Sequence, residues 1–318
     1  MIIDYPHIPQ AVAEGAITPI CDLLDPRGLA PFVEGAIGAA QVSFVVDGHS
    51  MALASDAACQ IAAYRPEVLS ALGFRVPKTW QDVIDLASAH PGSVALPLYH
   101  TDAISCILSL TAGEDAGPDG GMRLFPRPDA ALSAIKRLAE IVALVDPVCW
   151  STTPPLLYAE ANKAQCIAYV PLTFGYTRLT RDEEGGGWRF APPPEGCGSL
   201  LGGAGMAVSS KSPEPLRAAA FAAWYCSDDG QILAAKNGGQ PASNAAWRDV
   251  NSDSAVGHFF SDTITTQETA YVRPRAIWWP DFQTEAGKLL VRMLRGGDAA
   301  VAIFTALEAL YAEKRPSS

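Results

Sequence analysis

Metal-ligand spacing is missing from this sequence. The five histidines, His7, His49, His90, His100 and His258, are scattered, with no H-E-x-x-H and no Cys/His ligand pattern. A P-loop and a G-x-G-x-x-G are both absent, so neither a phosphate cradle nor a dinucleotide site is indicated. Gly202-Gly203-Ala204-Gly205 lacks the trailing glycine of that fingerprint, and Asp228-Asp229, about twenty residues on, fits a helix start better than a ribose contact. No cofactor is expected. Basic residues are also short: 23 Lys and Arg against 34 Asp and Glu, a formal net charge of −11, with no basic run. That balance excludes a nucleic-acid partner and disfavours an anionic membrane surface. No apolar run approaches a membrane span. Residues 1–20 lack the basic start, apolar core and small-residue cleavage site of a signal peptide. The seven cysteines form no C-x-x-C and are odd in number, which argues against a disulfide framework and weakly against an oxidising compartment. Cys59, Cys106, Cys166 and Cys226 lie in apolar runs and are expected to be buried small hydrophobes.

What is present is a core. The 318 residues are 49% hydrophobic, enough for two lobes. Strands are expected at Ile2–Asp4, Cys59–Tyr64, Val94–Leu98, Ala164–Val170 and Trp188–Ala191, with a hairpin where 43–46 and 51–54 flank Asp47-Gly48. Helices are expected at 67–72, 80–88, 103–111, 128–144, 154–163, 282–294 and 298–313, the last two separated by Gly296-Gly297. Gly113 to Gly121 and Asp182–Gly187 read as surface turns. No internal repeat or low-complexity segment occurs. Strands alternating with helices argue an α/β class.

The most informative stretch runs from Leu200 to Trp247. LLGGAGMAVSS is a glycine-interrupted apolar run, expected of a strand with a backbone crossing beside it. Ser212 and Pro213 suit a helix start, and Phe221, Trp224 and Tyr225 recur at helical spacing as an expected buried face. Ser227 is expected to cap a second helix that Asn237-Gly238-Gly239 closes, and PASNAAW follows. Upstream, Val-Pro-Lys-Thr-Trp at 76–80 offers Thr79 as an N-cap with Asp82 three residues on.

In order and spacing this succession resembles the C-terminal half of family 1, sugar-type solute-binding proteins of bacterial ABC importers. Val76–Val83, Asp4–Ile8, Ala16–Ile20, Val46–Asp56 and Val272–Arg275 are similar to further segments of that family. The resemblance implies a two-lobed, type II periplasmic-binding-protein-like α/β fold with a hinge. Lobe one would hold residues 1–55 and 204–270, and lobe two residues 56–203 and 271–318. Crossings are expected near Ala54–Ala58 and Leu200–Gly205. Family members carry more residues before the point where this sequence starts, so the first βαβ portion of lobe one is expected to be missing. The resemblance also implies a monomer that binds a small solute, a carbohydrate or polyol, delivers it to the membrane subunits of an ABC permease, and catalyses no reaction. It places the protein in the periplasm or outside the cell, or in the cytoplasm if the chain start is genuine. The alternatives are a soluble hydrolase-like α/β enzyme using Ser50, in the elbow-like Gly48-His49-Ser50-Met51-Ala52, or a degenerate non-transporting relative.

Sugar sites need flat aromatic faces for ring C–H patches and carboxylates, amides or imidazoles for hydroxyls. In open α/β sheets ligands gather beyond the carboxyl ends of strands. By that rule the candidate ligand residues are Tyr5 and His7, then Tyr99, His100 and Asp102, then Phe174 and Tyr176, then Trp278 and Trp279, together with Trp150, Asp56 at the presumed hinge, and Gly203 at the second crossing. Each has a plainer role open to it: Tyr5 and His7 could brace Pro6, Asp102 could cap a helix, and one of the tryptophans could pack between lobes.

Overall fold

A computed structural model describes residues 1–112, 121–181, 186–196 and 198–316. The expected turns at 113–121 and 182–187, and Cys197, fall largely outside those residues.

Along the chain the strands are β1 (Ile2–Asp4), β2 (Ile17–Thr18), β3 (Val45–Val46), β4 (His49–Ser50), β5 (Leu53–Ala54), β6 (Ala58–Tyr64), β7 (Tyr169–Phe174), β8 (Arg189–Ala191), β9 (Leu201–Gly202), β10 (Ala204–Met206) and β11 (Val208–Ser209). The helices are α1 (Ile8–Ala13), α2 (Pro26–Glu34), α3 (Pro66–Ala71), α4 (Trp80–Ala89), α5 (His100–Ala112), α6 (Pro128–Val142), α7 (Pro154–Ala164), α8 (Pro215–Cys226), α9 (Asp228–Lys236), α10 (Asn244–Trp247), α11 (Val250–Ala255), α12 (Phe259–Glu268), α13 (Trp279–Gly296) and α14 (Ala300–Lys314).

Two sheets organise these elements. The smaller has the order β1-β10-β5, and α8 packs on β5 beside it. The larger has β6 at its centre, flanked by β7 and β8 and extended by β9. The ladders in both are antiparallel; parallel pairing is confined to single bridges, Val94 to Tyr169 and Leu200 to Tyr271. Helices α5, α6, α13 and α14 pack as a layer beside the larger sheet. The result is an α/β architecture centred on two sheets, joined by chain crossings.

Local chemistry explains many boundaries. Thr79 Oγ1 accepts from Asp82 N at 3.1 Å while Asp82 Oδ2 accepts from Thr79 N at 2.8 Å, a complete capping box for α4. Ser227 Oγ accepts from Gly230 N and caps α9. Asp47 and Gly48, at φ of 50° and 79°, give the hairpin turn between β3 and β4 its two left-handed residues.

Other elements depart from the sequence reading. Helix α8 starts at Pro215, after Glu214; Ser212 Oγ instead accepts from Glu214 N in the preceding turn. Its buried face is Ala219, Ala222 and Cys226, and Phe221 and Trp224 are more than half exposed. The small residues permit close approach to β5 and β11, so the bulky rings of the helix turn outward. Residues 94–98 form one bridge rather than a strand. Strand β7 runs through Pro171 to Phe174, past the expected end at Val170, because the β6 register shifts between Ile61 and Ala63. A bulge on an edge strand tolerates the missing proline N–H. Cys166 is exposed, unlike buried Cys59, Cys106 and Cys226, because it follows the left-handed turn at Gln165 that ends α7. Finally α12 packs on β6 and β8, with Phe259 against Phe190 at 4.9 Å, although its residues fall in the segment assigned to lobe one.

Candidate functional site

Two crossings run side by side between the sheets. One passes from β5 through Asp56 to β6, the other from β9 through Gly203 to β10. The amides of Ser55 and Asp56 both donate to Ala204 O at 3.0 Å. At Gly203 φ is 135°, and a Cβ there would stand 2.5 Å from Asp56 O. The crossing therefore needs glycine both for its dihedral and for the approach of the neighbouring backbone.

A cleft of about 500 Å³ opens at these crossings. Asp4, Pro6, His7 and Gln10 line it from the end of β1 and the turn into α1. Asp56, Ala58, Gly202 and Gly203 form its floor. Across from them stand Thr101, Asp102 and Ser105 of α5, then Phe174, Gly175 and Tyr176 at the end of β7. The first two turns of α13 contribute Pro280, Asp281, Gln283 and Thr284, and two connecting segments contribute Gln240 and Arg273. Both sheets thus supply walls.

The cleft is acidic, and its acids are poorly served by the protein. Asp56 Oδ1 is fully shielded and has no hydrogen-bond partner among the described residues. Burial, reinforced by the charge of Asp4, pushes its carboxyl up to about 7. Asp102 is 8% exposed, and burial pushes it up to about 7 as well. Burial raises the Tyr176 hydroxyl, and the charges of Asp102 and Asp56 raise it further, so both carboxylates lie within electrostatic reach of one phenol. Arg273 is the lining cation, and its guanidinium is committed: Nε donates to Tyr5 Oη at 2.9 Å, Nη1 to Gln283 Oε1 at 3.0 Å and Nη2 to Leu201 O at 3.3 Å.

Of the residues singled out from sequence, the structure brings His7, Asp56, Asp102, Phe174, Tyr176 and Gly203 to this one cleft. It keeps six others away. Tyr5 is fully buried beneath the floor, where its hydroxyl donates to Leu201 O at 3.0 Å and its ring lies under Arg273. Tyr99 and His100 turn to a separate hollow of about 620 Å³ beside α13, shared with Trp150, whose ring lies under Arg295. For His100 the reason is helical geometry: α5 already begins there and residues two apart face opposite ways, so Asp102, with Thr101, reaches the cleft and His100 does not. Trp279 is fully buried at the start of α13, with Nε1 donating to Gln283 Oε1 at 3.1 Å. Trp278 packs edge-on against Phe282 and Tyr311, where α13 meets α14. Ser50 lies on β4, in the hairpin, and not among the cleft residues.

Sequence reasoning missed Asp4, Gln10, Ser105, Gln240, Arg273, Asp281, Gln283 and Thr284. Three of these carry a recoverable signal: Asp281, Gln283 and Thr284 follow closely on Trp279-Pro280, a marked helix start. Gln240 and Asp4 carry none, because only the packing of distant segments brings them to the cleft.

A family model for bacterial extracellular solute-binding proteins matches residues 1–256. The chain belongs to that family. No curated protein sequence matches it. Among solved structures, it is similar to a solute-binding protein of an ABC transporter from Thermotoga lettingae bound with α-D-tagatose, at 16% identity and a TM-score of 0.83, covering 99% of this chain and 84% of that one. It is also similar to maltose-bound MalE3 of T. maritima (16% identity, TM-score 0.80, 98% and 83% covered). A third is an ABC transporter solute-binding protein of Agrobacterium vitis with bound D-mannitol (16% identity, TM-score 0.74, 99% and 84% covered). At such identities the likeness is one of fold. No helix of this solute-binding protein, among the described residues, is long and apolar enough to cross a membrane.

Proposed function

We propose that this protein binds a carbohydrate or polyol in the cleft between its sheets, delivers it to an ABC permease outside the cytoplasmic membrane, and catalyses no reaction on it. The observation that carries this reading is the cleft at the double crossing, whose walls come from both sheets and offer Phe174 and Tyr176 as ring faces beside Asp56, Asp102, Gln240 and Thr284 as hydrogen-bonding groups. The similar folds that hold tagatose, maltose and mannitol support it. Binding works by closure: residues 1–55 with 204–255 move against the larger sheet and its helices, pivoting at Asp56 and Gly203. A solute that touches both walls stabilises the closed arrangement by its differential contacts. His7, Asp56, Asp102, Phe174 and Tyr176 are the side chains proposed to touch it.

The test is a thermal-shift screen of sugars and polyols. A ligand at a hundred times its Kd adds about 2.7 kcal/mol to folding stability, a readily measured rise in Tm. Tyr176→Ala should then weaken binding without lowering the unliganded Tm by a comparable amount. A screen with no shift, or a Tyr176→Ala variant with undiminished affinity for the solute found, would overturn the reading.

A further inference from the structure

We infer that the solute carries a protonated amine, held in the cleft by the acids that line it, Asp56 and Asp102 foremost; the inference rests on the carbohydrate-binding reading above and narrows it to amino sugars or amino polyols.

Two carboxylates in one enclosed cleft need donors, and the protein withholds them. Among the described residues Asp56 Oδ1 is shielded and unpartnered, and no hydrogen bond to the carboxylate of Asp102, a residue 8% exposed, is found. An isolated acid that only capped a helix or braced a loop would accept from backbone amides, as Asp25, Asp82, Asp146 and Asp249 do elsewhere in this chain. The site is therefore incomplete without a donor from outside.

The charges facing the two carboxylates decide which donor. From β1 and the turn after it come Asp4 and His7; from α13 comes Asp281, which has Lys314 within electrostatic reach; from the end of β7 comes the Tyr176 phenol. The one permanent cation is Arg273, and its three nitrogens are already given to Tyr5, Gln283 and Leu201. A neutral polyol could satisfy lone pairs but would bring no countercharge to a lining that holds Asp4, Asp56, Asp102 and Asp281 against one committed guanidinium as closure removes water. An ammonium group supplies several N–H donors and the missing positive charge together. The burial that lifts both carboxyls toward neutrality without a ligand is the same condition that a bound cation reverses.

The experiment uses the whole protein and calorimetric titration with matched pairs: glucosamine beside glucose, galactosamine beside galactose, and 1-amino-1-deoxysorbitol beside sorbitol, at several pH values from 5.5 to 8. The expected result is that an amine member binds at least tenfold more tightly than its hydroxyl counterpart. Its affinity should rise by roughly tenfold from pH 6 to 7, because the cation needs the ionised carboxylates, with protons released on binding. Asp102→Asn and Asp56→Asn, checked for unchanged circular dichroism, should each cut the preference by tenfold or more and flatten the pH profile. A merely structural role would move affinity for both members of a pair alike. The inference is overturned if the hydroxyl sugars bind as tightly as the amines, if affinity climbs toward acid, or if both Asn variants keep the preference. Failure of every probe, alongside a wider sugar and polyol screen that is also silent, would instead bring down the carbohydrate reading on which the inference stands.

Discussion

The floor of the cleft and the joint between α13 and α14 are built from similar-looking sequence, aromatic and polar residues where an element begins or ends, and they do opposite things. At the joint, Trp278, Trp279, Phe282 and Tyr311 interlock at centroid distances of 5.2–6.1 Å, and the indole N–H of Trp279 is satisfied by Gln283. In the cleft, Asp56 Oδ1 has no hydrogen-bond partner among the described residues, and burial desolvates both Asp56 and Asp102. Satisfied polar groups inside close packing mark a region that stability built. Unsatisfied ones beside open volume mark a region completed by something else. Gln283 belongs to both, since it anchors Trp279 and Arg273 and also faces the cleft.

The comparison can be broken most forcefully at the joint. Trp279→Ala should cost about 3–5 kcal/mol, the range for removing a large buried aromatic. Urea denaturation would read it, and a loss below about 1 kcal/mol would mean that the joint is no more structural than the cleft.

Next is the crossing itself. Gly203→Ala forces a side chain into a dihedral that only glycine tolerates, against Asp56 O. A loss of about 1–3 kcal/mol is expected, with solute affinity altered as well because the floor must shift. Intact affinity in a destabilised Gly203→Ala would separate the crossing from the site.

The cleft carboxylates should behave in the reverse way from the joint. Each has a folded value of about 7, raised from 3.8, so the folded state holds more protons than the unfolded between those limits. Their contribution to stability is therefore fullest at acid pH and is lost as pH rises through 7, by an amount on the order of a few kcal/mol. Unliganded Asp102→Asn should shed its share of this slope, leaving that of Asp56, and match or exceed the wild type in stability at pH 8. A variant less stable than wild type at pH 8, with the slope intact, would show that the carboxylate holds the fold together.

The smallest effect is expected in the hollow beside α13. Tyr99 is 42% exposed, so Tyr99→Ala should change stability by no more than about 0.5 kcal/mol and leave solute affinity unchanged. A tenfold loss of affinity would return this residue to the site.

The same contrast explains how much could be read ahead of the structure. Local signals held: the Thr79–Asp82 capping box, the Asp47-Gly48 turn, the Ser227 cap and the glycine break at 203 all act within a few residues, where dihedral preference and short hydrogen bonds decide. Half of the candidate cleft residues were also legible, because strand ends direct side chains in a regular way. The failures share one cause. The grouping of His100 with Asp102 at a strand end fails because α5 already begins at His100, which turns it away from Asp102. Phe221 and Trp224 were assigned a buried face by their size, but burial on α8 was decided by what could approach β5.

The sequence alone therefore determined the α/β class and the places where the backbone turns or crosses, since neighbouring residues set those, and the order and spacing of its motifs carried the resemblance to the family. It also determined the acidity of the molecule. Only the tertiary structure decided which acids would be stranded. Asp56 and Asp102 are far apart along the chain, and although each stands where the sequence offers a ligand residue, nothing near either in sequence foretells its burial without a partner. Their meeting in one desolvated cleft is a long-range consequence of folding, because burial and the absence of a partner are properties of a place and not of a residue.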